Sequence, residues 1–210
     1  MRWSVLILAR HGRTEHNAQG RLLGRLDPSL DELGRSQAAA LAEAVVADAA
    51  RRGARVSAVV TSPLRRTAET AAAVAAVAGV EVVADERWIE LDYGDFDGRP
   101  LADVPPDVWR AWRADPAFAP PGGESLADLR LRVEAALSSL GRDGGALDPH
   151  DDDVVVVSHV SPIKAAVAWC LGVPDEVTWR LHLAPASVCR LTLAPHGPVL
   201  HTFNELAHLA

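Results

Sequence analysis

A buried apolar strand that ends abruptly in a cation, an imidazole and a glycine constrains this chain most. Residues 5–9 are apolar and partly β-branched, which is typical of a strand buried on both faces. Arg10, His11 and Gly12 follow, and Thr14 is a residue type that caps helices. A helix N-terminus favours anions through its free N–H groups and its dipole. The stretch therefore predicts an anion site at a strand end or, taken alone, an ordinary polar loop.

The composition limits the class of protein. The chain has 210 residues, of which 49% are hydrophobic, and a formal net charge of −7. This length suffices for a sizeable core, and no apolar run approaches the roughly 18 residues of a membrane helix. The negative charge argues against a nucleic-acid partner, and two cysteines in apolar segments predict a reducing cytoplasm rather than a disulfide framework. We therefore expect one cytoplasmic domain over residues 1–210 that binds neither nucleic acid nor a membrane.

Strand and helix patterns alternate along the chain, which is typical of a three-layer α/β/α fold around a largely parallel central sheet. Serine–proline pairs at Ser62 and Ser161 predict two helix starts, with serine as cap and proline in the first turn. A solvated loop is expected over residues 144–153. The predicted strands are about 5–9, 56–61, 80–83, 154–157, 187–193 and 199–203, and the predicted helices about 31–53, 63–78, 107–114, 124–141 and 162–172.

Residues 85–123 divide into an acidic loop and a Pro-rich, aromatic insertion. The loop over 85–98 carries six carboxylates, most of which we expect to be solvated. Residues 99–123 are expected to form a small cap insertion over the site, with Trp109 and Trp112 as candidate substrate-binding residues. The alternative is that these rings only pin the loop to the core. If at least one faces the site, an apolar or ring-bearing leaving group is favoured over a small, doubly charged one.

Polar groups follow three of the predicted strands, and in parallel sheets ligands bind beyond the carboxyl ends of the strands. Guanidinium and imidazole groups beside helix N-termini would together form a pocket for a dianion such as phosphate. Spacing alone does not choose between the adjacent Arg65 and Arg66. The polar groups are Arg10 and His11 after the first strand, Ser62, Arg65 and Arg66 after the second, and Ser158 and His159 after the fourth.

Five motifs in this order resemble the histidine phosphatase superfamily, the phosphoglycerate mutase-like group of phosphatases and mutases. The resemblance covers nearly the whole chain and implies a phosphoglycerate mutase-like fold. Residues 157–164 and 180–183 are most similar to the acid-phosphatase half of ribonuclease H/acid phosphatase proteins, with α-ribazole phosphatases as relatives. The motifs are Arg10-His11-Gly12, Ser62-x-Leu64-x-Arg66, Glu90 followed by Gly94 and Gly98, Gly123-Glu124-Ser125, and Ser158-His159.

The resemblance implies a role for each catalytic candidate. His11 would attack phosphorus and form a phosphohistidine, while Arg10 and Arg66 would clamp the phosphoryl group with charged forks. His159 would hold the same oxygens, as a cation rather than as a base. Glu90 would protonate the leaving oxygen and then activate water, although the residues alone do not single it out among the six acids.

The resemblance also bears on the rest of the substrate site. Thr14 and Asn17 match phosphate-binding positions, with capping of the next helix as their competing role, and Gly24 is a further substrate-binding candidate. Val160 departs from the family, where many members have glycine; it keeps the backbone donor but adds bulk. No cofactor and no metal are implied, and the expected partner is a small-molecule phosphate ester. The oligomeric state stays open, with a homodimer as one option.

Two other functions compete with phosphomonoester hydrolysis. A mutase would use the same phosphohistidine chemistry, but mutases of this group carry a longer, more basic cap, whereas residues 99–123 hold only three arginines. A non-catalytic phosphate-binding module would need no nucleophile together with an acid. We therefore predict a histidine acid phosphatase that hydrolyses a small phosphorylated metabolite.

Overall fold

A six-stranded sheet forms the centre of the computed structural model, which describes residues 4–140, 152–194 and 196–210. The strands are β1 (Val5–Arg10), β2 (Val56–Thr61), β3 (Val82–Ala84), β4 (Asp153–Ser158), β5 (Val188–Ala194) and β6 (Gly197–Glu205). Their order in the sheet is β3-β2-β4-β1-β5-β6. The first four strands in the chain are mutually parallel, β5 is antiparallel to β1, and β6 is antiparallel to β5.

Helices cover both faces of the sheet. They are α1 (Glu15–Ala18), α2 (Glu32–Arg51), α3 (Arg65–Ala78), α4 (Pro106–Ala114), α5 (Leu126–Leu140) and α6 (Val160–Leu171). Helices α2 and α3 share one core with the sheet, and α5 and α6 share the other. Short 3₁₀ turns lie at Glu86–Trp88, Gly94–Phe96, Leu101–Asp103, Asp175–Arg180 and Ala207–Leu209. The predicted three-layer α/β/α fold with a largely parallel sheet is confirmed.

The alternation of side chains in β1 divides its apolar residues between the two cores. Leu6 faces the α5–α6 core, whereas Ile7 faces the α2–α3 core, because successive strand residues point to opposite faces. The pairing of β1 with β4 sets Arg10 opposite Ser158 at the carboxyl end of both strands. This register brings the polar residues that follow the two strands to one edge of the sheet.

Close packing of two glycines fixes the chain as it leaves β1. A Cβ atom on Gly12 would overlap the carbonyl oxygen of Gly34, and one on Gly34 would overlap the carbonyl oxygen of Arg13. The start of α2 therefore lies directly against the loop after β1. Asp31 caps α2 by accepting a hydrogen bond from the Gly34 N–H at 2.7 Å, so the same contact region also sets where the helix begins.

The two helix caps predicted at serine–proline pairs are wrong. Helix α3 begins at Arg65, and Ser62 lies outside it; its hydroxyl contacts the ring of His159 instead. Helix α6 begins at Val160, so that Ser161 lies in its first turn rather than before it. Most other boundaries fall within two residues of the prediction. The loop predicted at 144–153 falls mostly on residues 141–151, which lie outside the described part of the chain.

Both cysteines belong to the cores. Cys170 in α6 and Cys189 in β5 are buried and free. Burial raises the pKa of both thiols, that of Cys189 to about 11, so they are protonated at neutral pH. Within the described ranges, no helix combines the length and apolar character needed to cross a membrane.

The aromatic residues of the cap insertion pack mainly on one another. Trp112 in α4 is only 1% exposed, and its ring centroid lies 5.8 Å from that of Tyr93 and 5.5 Å from that of Trp109. Phe118 and Trp179 complete the contacts around it. The structure therefore places Trp112 as a core residue of the cap. A substrate contact by the half-buried Trp109 stays a prediction.

We expect Trp112→Ala to lower the free energy of unfolding by about 3–5 kcal/mol, because it leaves a large cavity in the aromatic cluster. Urea denaturation measures this loss. The ranking of phosphate esters by kcat/KM should not change. A variant of normal stability with an altered ranking would instead place Trp112 against the substrate.

Candidate active site

The carboxyl ends of three parallel strands and one loop bring five ionisable side chains together. All five are buried, with exposed fractions from 0 to 9%. The loop runs from β3 to α4, and the strands are neighbours in the sheet. The side chains are Arg10 and His11 from β1 and the residue after it, Arg66 from α3 after β2, His159 after β4, and Glu90 from the loop.

His11 has the properties of a neutral imidazole. Its Nδ1 lies 2.7 Å from the carbonyl oxygen of Gly12, so a neutral ring donates its proton there and keeps the lone pair on Nε2. Burial, followed by the charges of Arg66 and Arg10, lowers the pKa of His11 well below its ordinary value. The Gly12 N–H is fixed in turn by Thr70 Oγ1 at 3.1 Å. The ring is therefore oriented with its nucleophilic nitrogen unprotonated at neutral pH.

His159 lies edge-on to His11, with the ring centroids 5.2 Å apart. Its Nδ1 accepts a hydrogen bond from Arg66 Nε at 3.2 Å, and its Nε2 lies 2.7 Å from Ser62 Oγ, to which a neutral ring donates. Burial and the charge of Arg66 lower the pKa of His159 well below its ordinary value. In this arrangement His159 is neutral, because the lone pair on Nδ1 accepts the Arg66 hydrogen bond. Its role as a cation on the phosphoryl oxygens stays a prediction.

Arg66 is completely buried and held by backbone carbonyls. Its two terminal nitrogens donate to the carbonyl oxygens of Leu26 at 2.7 Å and Gly24 at 2.8 Å. Burial lowers its pKa to about 10, which leaves it charged at neutral pH. Its neighbour Arg65 is exposed and reaches Ser29 at 3.4 Å, so only Arg66 lies beside the histidines.

Gly24 therefore takes part in the site through its carbonyl. A Cβ atom at this position would lie 2.8 Å from the carbonyl oxygen of Leu91, so the close approach of the two segments depends on glycine. The Gly24 carbonyl oxygen accepts a hydrogen bond from Arg66, the candidate for clamping the phosphate. Direct binding of substrate by Gly24 stays a prediction.

Arg10 keeps an unsatisfied donor in the site. One terminal nitrogen donates to the carbonyl oxygen of Leu183 at 2.7 Å, but its buried Nε has no hydrogen-bond partner among the described residues. Burial lowers its pKa to about 10, against the attraction of Glu90. A buried N–H without a partner on a charged group is a ready donor for an anion.

Glu90 caps helix α6 from a distant part of the chain. Its carboxylate accepts hydrogen bonds from the backbone N–H groups of Leu91 at 2.8 Å, Val160 at 3.1 Å and Ser161 at 3.1 Å. This explains why α6 needs no capping serine. The valine at position 160 does preserve the backbone donor, as expected from the sequence.

Thr14 and Asn17 form a reciprocal capping box at the start of α1. Asn17 N–H donates to Thr14 Oγ1 at 3.3 Å, and Thr14 N–H donates to Asn17 Oδ1 at 3.1 Å. The capping role is therefore present in the structure. Their contact with a substrate phosphate stays a prediction.

Two residues near the site were not singled out by sequence patterns. The hydroxyl of the partly buried Tyr93 lies 3.3 Å from Ser161 Oγ, and desolvation of this group raises its pKa. Lys164 lies one turn into α6, where burial lowers its pKa despite the attraction of Glu90. The resemblance covered Lys164 only as part of a motif, and nothing in the spacing pointed to Tyr93. Together with the arginines, Lys164 makes the site locally positive within a negatively charged chain.

A separate cavity of about 1030 Å³ lies away from the five clustered side chains, near the start of β1 and the end of α2. Its polar walls include Arg190, which forms ion pairs with Asp48 and with Glu205. Among the residues that the structure describes, no group of three or more His, Cys, Asp or Glu side chains is arranged to hold a metal ion.

We expect the imidazole signals of His11 and His159 to stay in the neutral position in NMR spectra as the pH is lowered through 6.5, because burial and the nearby arginines hold their folded pKa values well below this ordinary value. Both should titrate near 6.5 when the chain is unfolded in urea. The unfolded chain then binds more protons, so stability present above about pH 6.5 should be lost as the pH falls. A signal of either ring that titrates near 6.5 in the folded protein contradicts the assignment.

Comparison with known proteins identifies the family of this chain. The chain matches the histidine phosphatase superfamily (branch 1) over residues 6–206. It is 39% identical over 186 residues to a bifunctional protein of Mycobacterium tuberculosis. The aligned segment covers 87% of this chain but only 48% of that protein. The chain thus spans about half the length of this relative. It is also 39% identical over 202 residues to a glucosyl-3-phosphoglycerate phosphatase of Mycolicibacterium vanbaalenii, covering 93% of this chain and 86% of the relative.

A solved structure of a mycobacterial glucosyl-3-phosphoglycerate phosphatase in complex with VO3 superposes with a TM-score of 0.82. It is 33% identical in sequence, with 97% of this chain and 100% of that chain covered. The family indicated by the motifs and the phosphoglycerate mutase-like fold are confirmed. The chain belongs to the histidine phosphatase superfamily.

Proposed function

We propose that this chain hydrolyses small phosphomonoesters through a phosphohistidine formed on His11. The observation that carries the proposal is a buried imidazole whose Nδ1 is engaged by a backbone carbonyl, near two charged guanidinium groups, one of which has an N–H without a partner among the described residues. Imidazole is a nucleophile only when unprotonated, and fixed guanidinium groups stabilise the charge of a transferring phosphoryl group. The arrangement supplies both conditions in one place.

The reaction has two phosphoryl transfers. In the first, His11 Nε2 bonds to phosphorus as the ester P–O bond breaks, and Glu90 gives a proton to the departing oxygen. In the second, Glu90 takes a proton from water, whose oxygen bonds to phosphorus as the P–N bond breaks. Inorganic phosphate leaves, and Glu90 again carries its proton. Arg10 and Arg66 hold the phosphoryl oxygens throughout, because their pKa values keep them charged.

Hydrolysis is favoured over phosphoryl return to substrate by the composition and packing of the cap. Its three arginines are Arg99, Arg110 and Arg113. Arg99 lies over the ring of Phe96 at 5.5 Å, and Arg113 lies over the ring of Trp109 at 5.7 Å. Packing on a ring leaves a guanidinium charged, so retention of a second anionic group is disfavoured by the small number of cations in residues 99–123.

The named phosphatase relatives support a small phosphorylated metabolite as the substrate. A cytoplasmic location, a metal-independent reaction and a homodimer remain predictions from the sequence. The presence of a nucleophile with a proton-donor candidate argues against a pure binding module, because phosphate binding alone needs only the arginines.

We expect His11→Ala to retain its fold by circular dichroism and to lose at least about 99% of turnover, since loss of a nucleophile removes orders of magnitude of rate. Rapid quenching of the wild-type enzyme with labelled substrate should trap a phospho-enzyme that is labile in acid and stable in base. The variant should trap none. Turnover above about one per cent of wild type would show that His11 is not the nucleophile.

The adjacent arginines provide a matched pair of variants. We expect Arg66→Ala to lower kcat/KM by about 10²-fold or more, on the scale of a lost transition-state donor, because Arg66 is buried beside the histidines. Arg65→Ala should change kcat/KM by less than about threefold, as is typical of an exposed charge. Thermal unfolding of both variants controls for folding. Equal losses of activity would remove Arg66 from the proposed clamp.

A further inference from the structure

Arg132 of helix α5 binds the main chain of the loop that carries Glu90, and Arg87 of the loop binds α5 in turn through Ala135 and Ser139. A terminal nitrogen of Arg132 donates to the carbonyl oxygen of Arg87 at 2.7 Å, and the other donates to the carbonyl oxygen of Glu90 itself at 3.3 Å. No sequence pattern indicated a role for Arg132. Its position, 18% exposed on the inner side of α5, makes it a bridge between a rigid helix and the loop.

Glu124 completes the attachment on the far side of Glu90. Arg132 binds its carboxylate with two nitrogens, at 2.6 and 2.9 Å. The Glu124 backbone N–H donates to the carbonyl oxygen of Asp92 at 2.9 Å, and Glu124 Oε2 accepts a long hydrogen bond from the Asp92 N–H at 3.4 Å. The pair therefore holds the main chain before Glu90, at Glu90 and after it.

Other contacts hold the loop at Arg87 and Trp88: Arg87 donates to Ala135 and Ser139 of α5, and Ser158 Oγ donates to the carbonyl oxygen of Trp88 at 2.6 Å. The only regular element of the loop before Glu90 is the 3₁₀ turn over Glu86–Trp88, and no strand pairing continues beyond it. The carboxylate of Glu90 is fixed at its tip by the N-terminus of α6. The main chain of Glu90 is fixed at its base by Arg132. The side chain is thus held at both ends, and the two attachments come from different helices.

This arrangement matters for a proton donor, because proton transfer requires the carboxyl oxygen within hydrogen-bond distance of the leaving oxygen. A displacement of about 1 Å can reduce a rate by 10²-fold. We propose that Arg132, through its pairing with Glu124, is a positioning residue for proton donation by Glu90. This inference rests on the proposed function. Arg132 contacts the loop backbone and not the reacting atoms.

The test compares two kinds of leaving group. p-Nitrophenolate leaves without a proton, whereas the alcohol of a simple alkyl phosphate needs one. We expect Arg132→Ala to lower kcat/KM for the alkyl phosphate by about 10-fold or more. Full loss of general-acid catalysis, about 10²–10⁴-fold, is the upper limit of this effect. For p-nitrophenyl phosphate the loss should be below about threefold. Since kcat/KM reports only on steps up to the phospho-enzyme, the later use of Glu90 as a base does not enter.

Arg130 on the same helix provides the control. It is 19% exposed and forms two ion pairs at 2.6 Å, with Glu134 and Asp175, but it does not contact the Glu90 loop. Arg130→Ala should leave the ratio of the two kcat/KM values unchanged. Arg132→Lys retains the charge and protects folding, but a point charge cannot form the two-nitrogen pair and reach both carbonyls. It should show the same selective loss as the alanine variant.

Glu90→Gln separates failure of the inference from failure of the proposed function. A selective loss on the alkyl phosphate in Glu90→Gln and in both Arg132 variants supports the inference. The selective loss in Glu90→Gln alone, with equal losses on both substrates for the Arg132 variants, overturns the positioning role while the proposed function stands. No leaving-group dependence in Glu90→Gln would remove Glu90 as the proton donor, and the inference with it.

Discussion

The burial of two guanidinium groups at one edge of the sheet is the constraint on which the site depends. A buried charge is costly unless it is paired or hydrogen-bonded. Arg66 is satisfied by two backbone carbonyls and an imidazole. Arg10 is stabilised by one carbonyl and the nearby charge of Glu90, while its Nε has no hydrogen-bond partner among the described residues. Burial and these cations lower the pKa of both histidines. The fixed positive charge thus resides on groups that stay protonated, and the nucleophile candidate stays neutral.

Carboxylates hold the irregular segments around these cations. Asp97 accepts hydrogen bonds from three successive backbone N–H groups, at 2.7, 2.8 and 2.9 Å, and so shapes the loop whose carbonyls bind Arg66. Glu90 does the same for the first turn of α6. Asp85 and Asp92 each accept a backbone N–H within their own turns. Asp85, Asp92 and Asp97 are partly exposed, in line with the expectation for most acids of residues 85–98, but each also accepts hydrogen bonds from backbone N–H groups.

Local patterns predicted the strands and the convergence of their ends, because the continuous apolar runs of β1 and β4 are direct consequences of a sheet covered on both faces. They failed where the partner lies far along the chain. Glu90 caps a helix that begins 70 positions later in the chain, and the residues next to Glu90 carry no pattern that indicates this capping role. Trp112 shows a different limit of local patterns, since an aromatic residue in a cap has the same sequence pattern whether it faces a ligand or its neighbours.

The hydrogen bond from Arg66 to His159 links the orientation of a charged guanidinium to the protonation state of an imidazole. The single lone pair on Nδ1 can hold either the Arg66 N–H or a proton of its own, but not both. An approaching dianion favours a protonated imidazole. Protonation at Nδ1 would therefore break this bond and turn Arg66 Nε toward the anion. Two donors would become available to the phosphoryl oxygens in one event, and both would be withdrawn together when phosphate leaves.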